Sequence, residues 1–387
     1  MSESASPPFG AYLHYPYCRT RCHYCAFNTY LIPDERTLEE YGEALAREIE
    51  TVSIAEGLAG RTLASVFCGG GTPSVFPTAA LTVALDRLRA LYQLQDGAEI
   101  TFEANPGTVT EDALGRLRAA GYNRVSFGAQ ALQAHLLTRL GRTHGSEDVE
   151  RSVRAATRAG FDEVSLDLMY GLPGQTVDDV ADSVSWALSL GIRHLSAYGL
   201  EVEPSTRFGA EDRAGTLVLP PEEEVVAMGG TIDDLCDAAG LRRYEVSNYA
   251  VPGHESRHNL LYWQRGEYRG FGPGAHSFLA DRRFWNINDP RRYVRAVMAG
   301  SSAIGGDETL RLDQAMGEWV YLRLRLVEGA RFDDFERAFG RPLLATFAGP
   351  IGELQAEGLL EATPAQIRAT AQGRWLLNRV VLPFLQP

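Results

Sequence analysis

The sequence predicts an α/β protein: a partial (β/α)6 barrel, a smaller C-terminal α/β extension and a helical or winged-helix-like tail. Three observations carry this. Between residue 10 and about residue 203, six short apolar runs alternate with longer stretches of helical periodicity; such alternation argues a parallel sheet covered by helices. The helical stretches keep their apolar residues on one face, and glycines follow three of them as stops. At 387 residues the chain exceeds one ordinary domain and suits a large α/β unit with smaller additions. The expected division is 1–205 for the barrel, 206–305 for the extension and 306–387 for the tail.

Taken in order, the expected strands are residues 11–15, 65–68, 99–104, 124–127, 163–169 and 194–200. The helices between them are 38–52, 79–92, 111–119, 147–159 and 177–190. In the first helix Leu38, Tyr41, Leu45, Ile49 and Val52 recur at three- and four-residue spacing. Thr108-x-x-Glu111 reads as a capping box opening the third, and Gly121, Gly160 and Gly191 end three of the helices. After Glu203-Pro204-Ser205 the pattern changes. Pro220-Pro221-Glu222-Glu223-Glu224 opens a helix to about residue 239, with proline at its start and acids in its first turn. Residues 244–249 read as a strand and 270–276 as a glycine-rich loop. Helices follow at 289–298, 310–327 and 332–339, then at 351–359 and 370–381 in the tail.

Directly after the first strand stands Cys18-Arg19-Thr20-Arg21-Cys22-His23-Tyr24-Cys25. Three cysteines spaced x3 then x2 cannot all pair as disulfides, but they can aim three thiolates at one centre. Soft thiolates favour zinc or iron–sulfur. Closed structural zinc and ordinary cubane sites take four protein ligands, and no downstream cysteine pair or His-x-x-x-His supplies a fourth. Three ligands point to a [4Fe–4S] cluster with one iron open. The plainer alternative is a zinc knuckle, or cysteines buried as small hydrophobes.

In a barrel of this kind ligands sit at the carboxyl ends of the strands, and several strand ends carry chemistry. Gly69-Gly70-Gly71-Thr72-Pro73 follows the second strand, where absent side chains let backbone amides approach a ligand. Glu103, Asn105 and Pro106 follow the third and Gln130 the fourth; Arg142 opens the next connection, and Asp167 lies on the fifth. A lone glycine triplet is more often a turn, and a lone acid more often a helix cap. Their recurrence on one face argues for a site.

These motifs resemble the radical S-adenosylmethionine (SAM) superfamily, and over nearly the whole chain its coproporphyrinogen-oxidase-like branch. The resemblance implies that Cys18, Cys22 and Cys25 bind the cluster, whose open iron is chelated by SAM. It implies that Tyr12 and Tyr24 flank SAM and that Gly70, Gly71 and Thr72 receive its amino-acid end. Glu103, Gln130, Arg142 and Asp167 would hold its amino, ribose and carboxylate groups. Two departures separate oxidases from haem-binding chaperones within the branch. The oxidases carry a further cysteine two residues after the third cluster cysteine, where Phe27 stands here, and a longer segment before the cluster, where 17 residues precede Cys18. His258-Asn259-Leu260-Leu261-Tyr262-Trp263 matches the H-N-x-x-Y-W signature of the chaperones. On that resemblance His258, Asn259, Tyr262 and Trp263 contact haem, with His258 the leading iron ligand, His276 its main rival and His14 a lesser one. Trp263 either covers a porphyrin face or anchors the turn. The plainer reading of His258 is a satisfied core histidine.

The expected function is therefore a chaperone that binds haem, a cluster and SAM and delivers haem to acceptors, which the resemblance places among membrane respiratory proteins. The alternatives are anaerobic coproporphyrinogen III oxidation and a radical SAM enzyme of another substrate. Composition narrows the partners further. A net charge of −13 without a Lys/Arg-rich run disfavours nucleic acid. Five cysteines, three of them in one loop, fit a reducing compartment. Residues 1–6 lack a basic segment leading into an apolar one, so no signal peptide is expected, and no apolar run spans a bilayer. The expected location is cytoplasmic.

Overall fold

The computed structural model describes residues 9–385; the segment read above as lacking a signal peptide lies outside them. Six strands form the heart of the protein: β1 Phe9–Tyr15, β2 Thr62–Gly70, β3 Gln93–Ala104, β4 Arg124–Gln130, β5 Glu163–Tyr170 and β6 His194–Gly199. All five neighbouring pairs run parallel. Parallel strands need crossovers, and six helices run through these connections: α1 Glu35–Ala55, α2 Thr78–Leu91, α3 Glu111–Ala120, α4 Ala134–Leu140, α5 Ser146–Arg158 and α6 Val177–Ser189. Strand β1 is buried at every residue except Tyr12, the pattern of a strand covered on both sides. The apolar face foreseen for α1 buries Leu38, Tyr41, Leu45 and Ile49 against the sheet. Tyr41 also donates its hydroxyl to the His14 carbonyl, tying that helix to β1.

Beyond β6 the chain returns to both edges of the same sheet. After α7 Arg207–Arg213 and α8 Glu222–Ala238 come β7 Arg242–Arg243 and β8 Asn248–Ala250, which continue the edge beyond β6. Then α9 Arg257–Trp263 leads into β9 Glu267–Phe271, which pairs parallel to β1. Strands β10 His276–Leu279, β11 Arg282–Asn286 and β12 Ile304–Thr309 follow antiparallel, with α10 Pro290–Met298 between the last two. The twelve-stranded order is β12-β11-β10-β9-β1-β2-β3-β4-β5-β6-β8-β7. The tail packs α11 Leu312–Arg323 and shorter helices against a three-stranded sheet, around a separate core that includes Trp319, Phe335, Ile367 and Val380.

Three local expectations change. Helix α3 is capped by Thr110, which accepts from the Ala113 amide; Thr108 instead donates to the Asn105 carbonyl. The strand expected over 244–249 shrinks to β8, because the buried Glu245 carboxylate takes the Ser247 amide at 3.1 Å and turns the chain. The loop expected over 270–276 is only a reversal at 272–275, since Gly270 and Phe271 end β9 and His276 opens β10.

Buried carboxylates fasten the added strands and helices to the barrel. Glu48 of α1 accepts from the Gly272 amide at 2.8 Å, Asn286 Nδ2 at 2.6 Å and the Tyr293 hydroxyl at 2.6 Å. Glu99 of β3 accepts from the amides of Arg257 and His258 at 2.9 and 3.1 Å and from the Ser256 hydroxyl at 3.3 Å, so it fixes the start of α9. Arg124 lies 3.8 Å from Glu99, both side chains nearly inaccessible. Removing one partner of such a buried set costs about 3 kcal/mol. Glu99→Ala should therefore lower the urea midpoint by a corresponding amount; an unchanged midpoint would show that α9 is held by something else.

Candidate functional site

The cysteine loop leaves the carboxyl end of β1 through Tyr17–Cys18, which pairs with Tyr30–Leu31 in a two-residue parallel ladder. Between these points it is stapled from several sides. The His23 amide donates to the Leu140 carbonyl at 2.9 Å and His23 Nδ1 to the Arg139 carbonyl at 2.8 Å, both at the end of α4. The Phe208 amide of α7 returns a bond to the His23 carbonyl at 2.9 Å. Asn28 Nδ2 donates to the carbonyls of Pro273 and Asn288, each at 3.1 Å. An irregular loop is thus given a defined shape by long-range hydrogen bonds.

Cys18, Cys22 and Cys25 are half-buried free thiols. The Thr72 hydroxyl donates to Cys18 Sγ at 3.4 Å, and Arg142 Nη1 to Cys22 Sγ at 3.5 Å. Burial pushes the Cys18 thiol up to about 11 and raises Cys25 as well, so a metal binding there would have to displace their protons. Among the described residues no three His, Cys, Asp or Glu side chains converge as a single metal ion would require. A cubane asks for something different, because each cysteine binds a different iron. Three half-buried thiols beside the half-buried Arg142 guanidinium have the donor chemistry such a cluster requires.

The strand ends close around this loop. Arg142 follows the left-handed cap Gly141 of α4 and reaches Asn105 Oδ1 at 2.8 Å and the Gly128 carbonyl at 2.6 Å. It therefore bridges Cys22 to the ends of β3 and β4. Gln130 sits in the left-handed region, φ 68°, at a register shift between β4 and β5; a non-glycine residue held there costs energy and marks a constrained position. Glu103 and Asp167 lie close enough to repel each other. Burial first, then Asp167, pushes Glu103 up to about 8, and the Gly70 amide at 3.1 Å opposes the shift. Burial likewise raises Asp167, relieved by Ser196 and by Ser126, whose hydroxyl donates at 2.9 Å. Burial raises the proton affinity of both carboxyls, although Arg124 and Arg142 oppose the shift at Asp167, and such perturbed groups in one place mark a candidate site.

The glycine triplet acts otherwise than the sequence suggested. The amides of Gly70, Gly71 and Thr72 are already taken by Glu103, Tyr15 O and Tyr17 O. What the glycines contribute is room: a Cβ on Gly71 would lie 2.7 Å from Tyr15 O and 2.8 Å from Tyr17 O, and Gly70 has φ 107°. Tyr12, the one partly open residue of β1, stacks with Phe67 and bonds His14 Nδ1 at 3.0 Å. Tyr24 lies within the cysteine loop, half-buried beside Cys22 and Arg142. Two cavities of about 490 and 200 Å³ are both lined by Arg19, and the smaller is lined by Asn105 and Arg142 as well. Neither is lined by Glu103 or Asp167, so the carboxyl pair belongs to a different space.

His258 departs from its expected role. It is wholly buried, with Nδ1 on Ser65 Oγ at 2.8 Å and Nε2 on the Tyr262 hydroxyl at 2.8 Å. Its ring stacks on Phe67 at 5.2 Å, and burial pushes its pKa down to about 3. With both nitrogens bonded inside the barrel, it has none left for iron. Tyr262 is one turn along α9 from His258, and its ring meets Tyr268 edge-on at 4.6 Å. Trp263 keeps its indole N–H buried without a partner, near Arg325; Asn259 is half-buried on the same helix. His14 has both nitrogens bonded too, to Tyr12 and the Asn28 carbonyl. Sequence reasoning missed Asn105 and Thr72 as partners of Arg142 and Cys18, and the signal was present in their position after strand ends.

A parallel sheet with a C-x3-C-x2-C loop at its carboxyl edge defines a radical SAM protein. Residues 12–187 match the Radical SAM superfamily and residues 310–376 the HemN C-terminal domain. The chain belongs to the HemW family. It is 36% identical to "Heme chaperone HemW" of Bacillus subtilis over 376 residues, 97% of this chain and 98% of that one. Against the Mycobacterium tuberculosis protein of the same name it is 37% identical over 388 residues, covering 100% and 97% of the two chains. The solved structure of coproporphyrinogen III oxidase (HemN) from Escherichia coli shares the fold with a TM-score of 0.84 at 24% identity, over 99% of this chain and 91% of that one.

The Glu103 carboxyl yields a pH test. Its folded value near 8 lies above the unfolded 4.5, so between these limits the folded protein holds a proton that the unfolded chain has released. The group's stabilisation is complete below pH 4.5 and is lost as pH rises through 8, by at most about tenfold in the folding equilibrium per pH unit. Relative to wild type, Glu103→Gln should gain stability progressively from pH 5 to 8 in urea titrations. A constant difference across that range would mean that Glu103 titrates normally.

Proposed function

We propose that this chain is a haem-binding chaperone with a radical SAM core, which holds a [4Fe–4S] cluster and SAM and passes haem to acceptor proteins. The observation that carries the reading is similarity along the whole length to proteins named heme chaperone HemW, barrel, extension and tail together. The site supports it. Cys18, Cys22 and Cys25 would hold the cluster, with Arg142 offsetting thiolate charge and Thr72 donating to Cys18. Glu103 and Asp167 would meet the cationic part of SAM, Arg142 its carboxylate, and Gln130 its ribose, with Tyr12 and Tyr24 at its sides and Gly70, Gly71 and Thr72 at its amino-acid end. When bound, cluster and SAM supply one-electron chemistry; the chain's share is to position them and shield them from water.

Phe27, exposed at 70%, stands where the resemblance places a further cysteine in the oxidases, which favours the chaperone over the enzyme. On α9, Asn259, Tyr262 and Trp263 carry the signature, and the structural bonds of His258 support it as the post that sets the helix. The expected acceptors are membrane respiratory haem proteins, and five free cysteines accord with work in the cytoplasm. No helix among the described residues is long and apolar enough to cross a membrane.

Anaerobic reconstitution should give roughly four irons per chain, and loss of any one loop cysteine should abolish the visible absorption. Full loading of Cys22→Ala, or equal loss in Cys236→Ala, would overturn the ligand set. SAM binding should weaken by about 1.5–3 kcal/mol in Asp167→Ala, the value of one charge-assisted hydrogen bond; wild-type affinity would place SAM elsewhere. The haem reading is tested by incubating the reconstituted protein anaerobically with coproporphyrinogen III beside a haem titration. Haem retention without protoporphyrinogen is expected, and robust turnover would assign the chain to the oxidases.

A further inference from the structure

We propose that a metalloporphyrin binds on the outer rim of the cysteine loop, with His276 as its axial ligand and Trp285 backing the imidazole ring that ligates it. The inference rests on the haem-binding reading and supplies the location that the buried His258 leaves open. An axial ligand needs a ring nitrogen that is free and reachable. The chain has eight histidines; His14, His23, His194 and His258 spend both ring nitrogens on the protein, and His144 and His254, both half-buried, spend one each. Among the described residues only His135 and His276 have rings without a hydrogen bond. His135 lies exposed on the barrel helix α4. His276 is exposed at the start of β10 and stacks on Trp285 at 5.6 Å with the rings 28° apart.

The surroundings suit a flat apolar dianion. Trp285 lies across Gly306 of the neighbouring strand, where a Cβ would come within 2.6 Å of the indole, so the ring is laid against the sheet. Asn28 bonds the Pro273 carbonyl, which joins the reversal before His276 to the cysteine loop. Next to Asn28 stands Phe27, 70% exposed, and Tyr30 is 37% exposed on the same loop. Exposed aromatic side chains on a segment bonded to the reversal before His276 mark a binding surface rather than a core. Propionates need cations, and exposed Arg21 and Arg291 stand beside Tyr30 and Tyr17 respectively. Burial and nearby Arg283 lower the His276 pKa, which keeps the imidazole in its ligating form.

The test is a haemin titration of the full chain, followed by the Soret band, for wild type, His276→Ala, Trp285→Leu, His135→Ala and His258→Ala. His276→Ala should lose at least about tenfold in affinity and recover its band with added imidazole; His276→Cys should keep haem with a shifted, thiolate-type Soret band. Trp285→Leu should weaken binding without changing the band position, and His135→Ala should match wild type. Wild-type binding and spectrum in His276→Ala, or loss confined to His135→Ala or His258→Ala, would overturn the site and leave the chaperone reading standing. Absence of haem binding in wild type would overturn both. Because His276 is exposed, His276→Ala should unfold with wild type; if it does not, His276→Cys still decides ligation through its spectrum.

Discussion

Arg142 is the half-buried cation on which the site depends. It touches Cys22, Asn105 and the Gly128 carbonyl at once, so one guanidinium binds the cysteine loop, the end of β3 and the end of β4 together. Its planar fork allows this, with Nη1 on Cys22 and Nη2 on both Asn105 and Gly128, a spread over two nitrogens that a single lysine ammonium does not offer. Around it stand three thiols that a metal would ionise and two carboxyls whose proton affinity burial raises. A bound cation would relieve the cost of burying those carboxyls in their charged form.

The same economy of buried charge holds the outer parts of the sheet. Glu48 anchors the Gly272 reversal, Asn286 and α10, while Glu99 anchors α9. Each carboxylate is surrounded by donors, the condition under which burial of a charge is tolerated. The consequence is mechanical. The reversal before His276 is held from within by Glu48 and from the rim by Asn28, which places the outer strands at a fixed position against the cysteine loop. Cluster site and outer rim are therefore neighbours by construction, although about 250 residues separate them in sequence.

Much of the barrel was legible because its signals are local. Helical periodicity in α1, glycines after α3 and α5, and apolar runs at the strands all report the period of the element that contains them. The cysteine loop was legible for the same reason, since three thiols within eight residues state a chemistry without any tertiary knowledge. The outer strands were less so. In 270–276 three glycines and a proline hide the ends of β9 and β10, and the pairing that makes them strands comes from β1 and β11. Tyr244 to Ser247 looks like a strand by composition, yet Glu245 turns it through a bond that only burial makes worthwhile.

By itself the sequence determined the β–α alternation, the loop that follows β1 and the charged residues at strand ends, because each depends on spacing along the chain. The tertiary structure decided which of those groups have atoms to spare. His258 and His276 are the same side chain to a sequence reader. One has both nitrogens consumed by Ser65 and Tyr262 in a solvent-free interior, and the other stands open on an aromatic floor. Gly71 and Thr72 present amides on paper, but Tyr15 and Tyr17 have already claimed them. Hydrogen-bond capacity is fixed by residue type, whereas its remaining availability is set by partners brought from far along the chain.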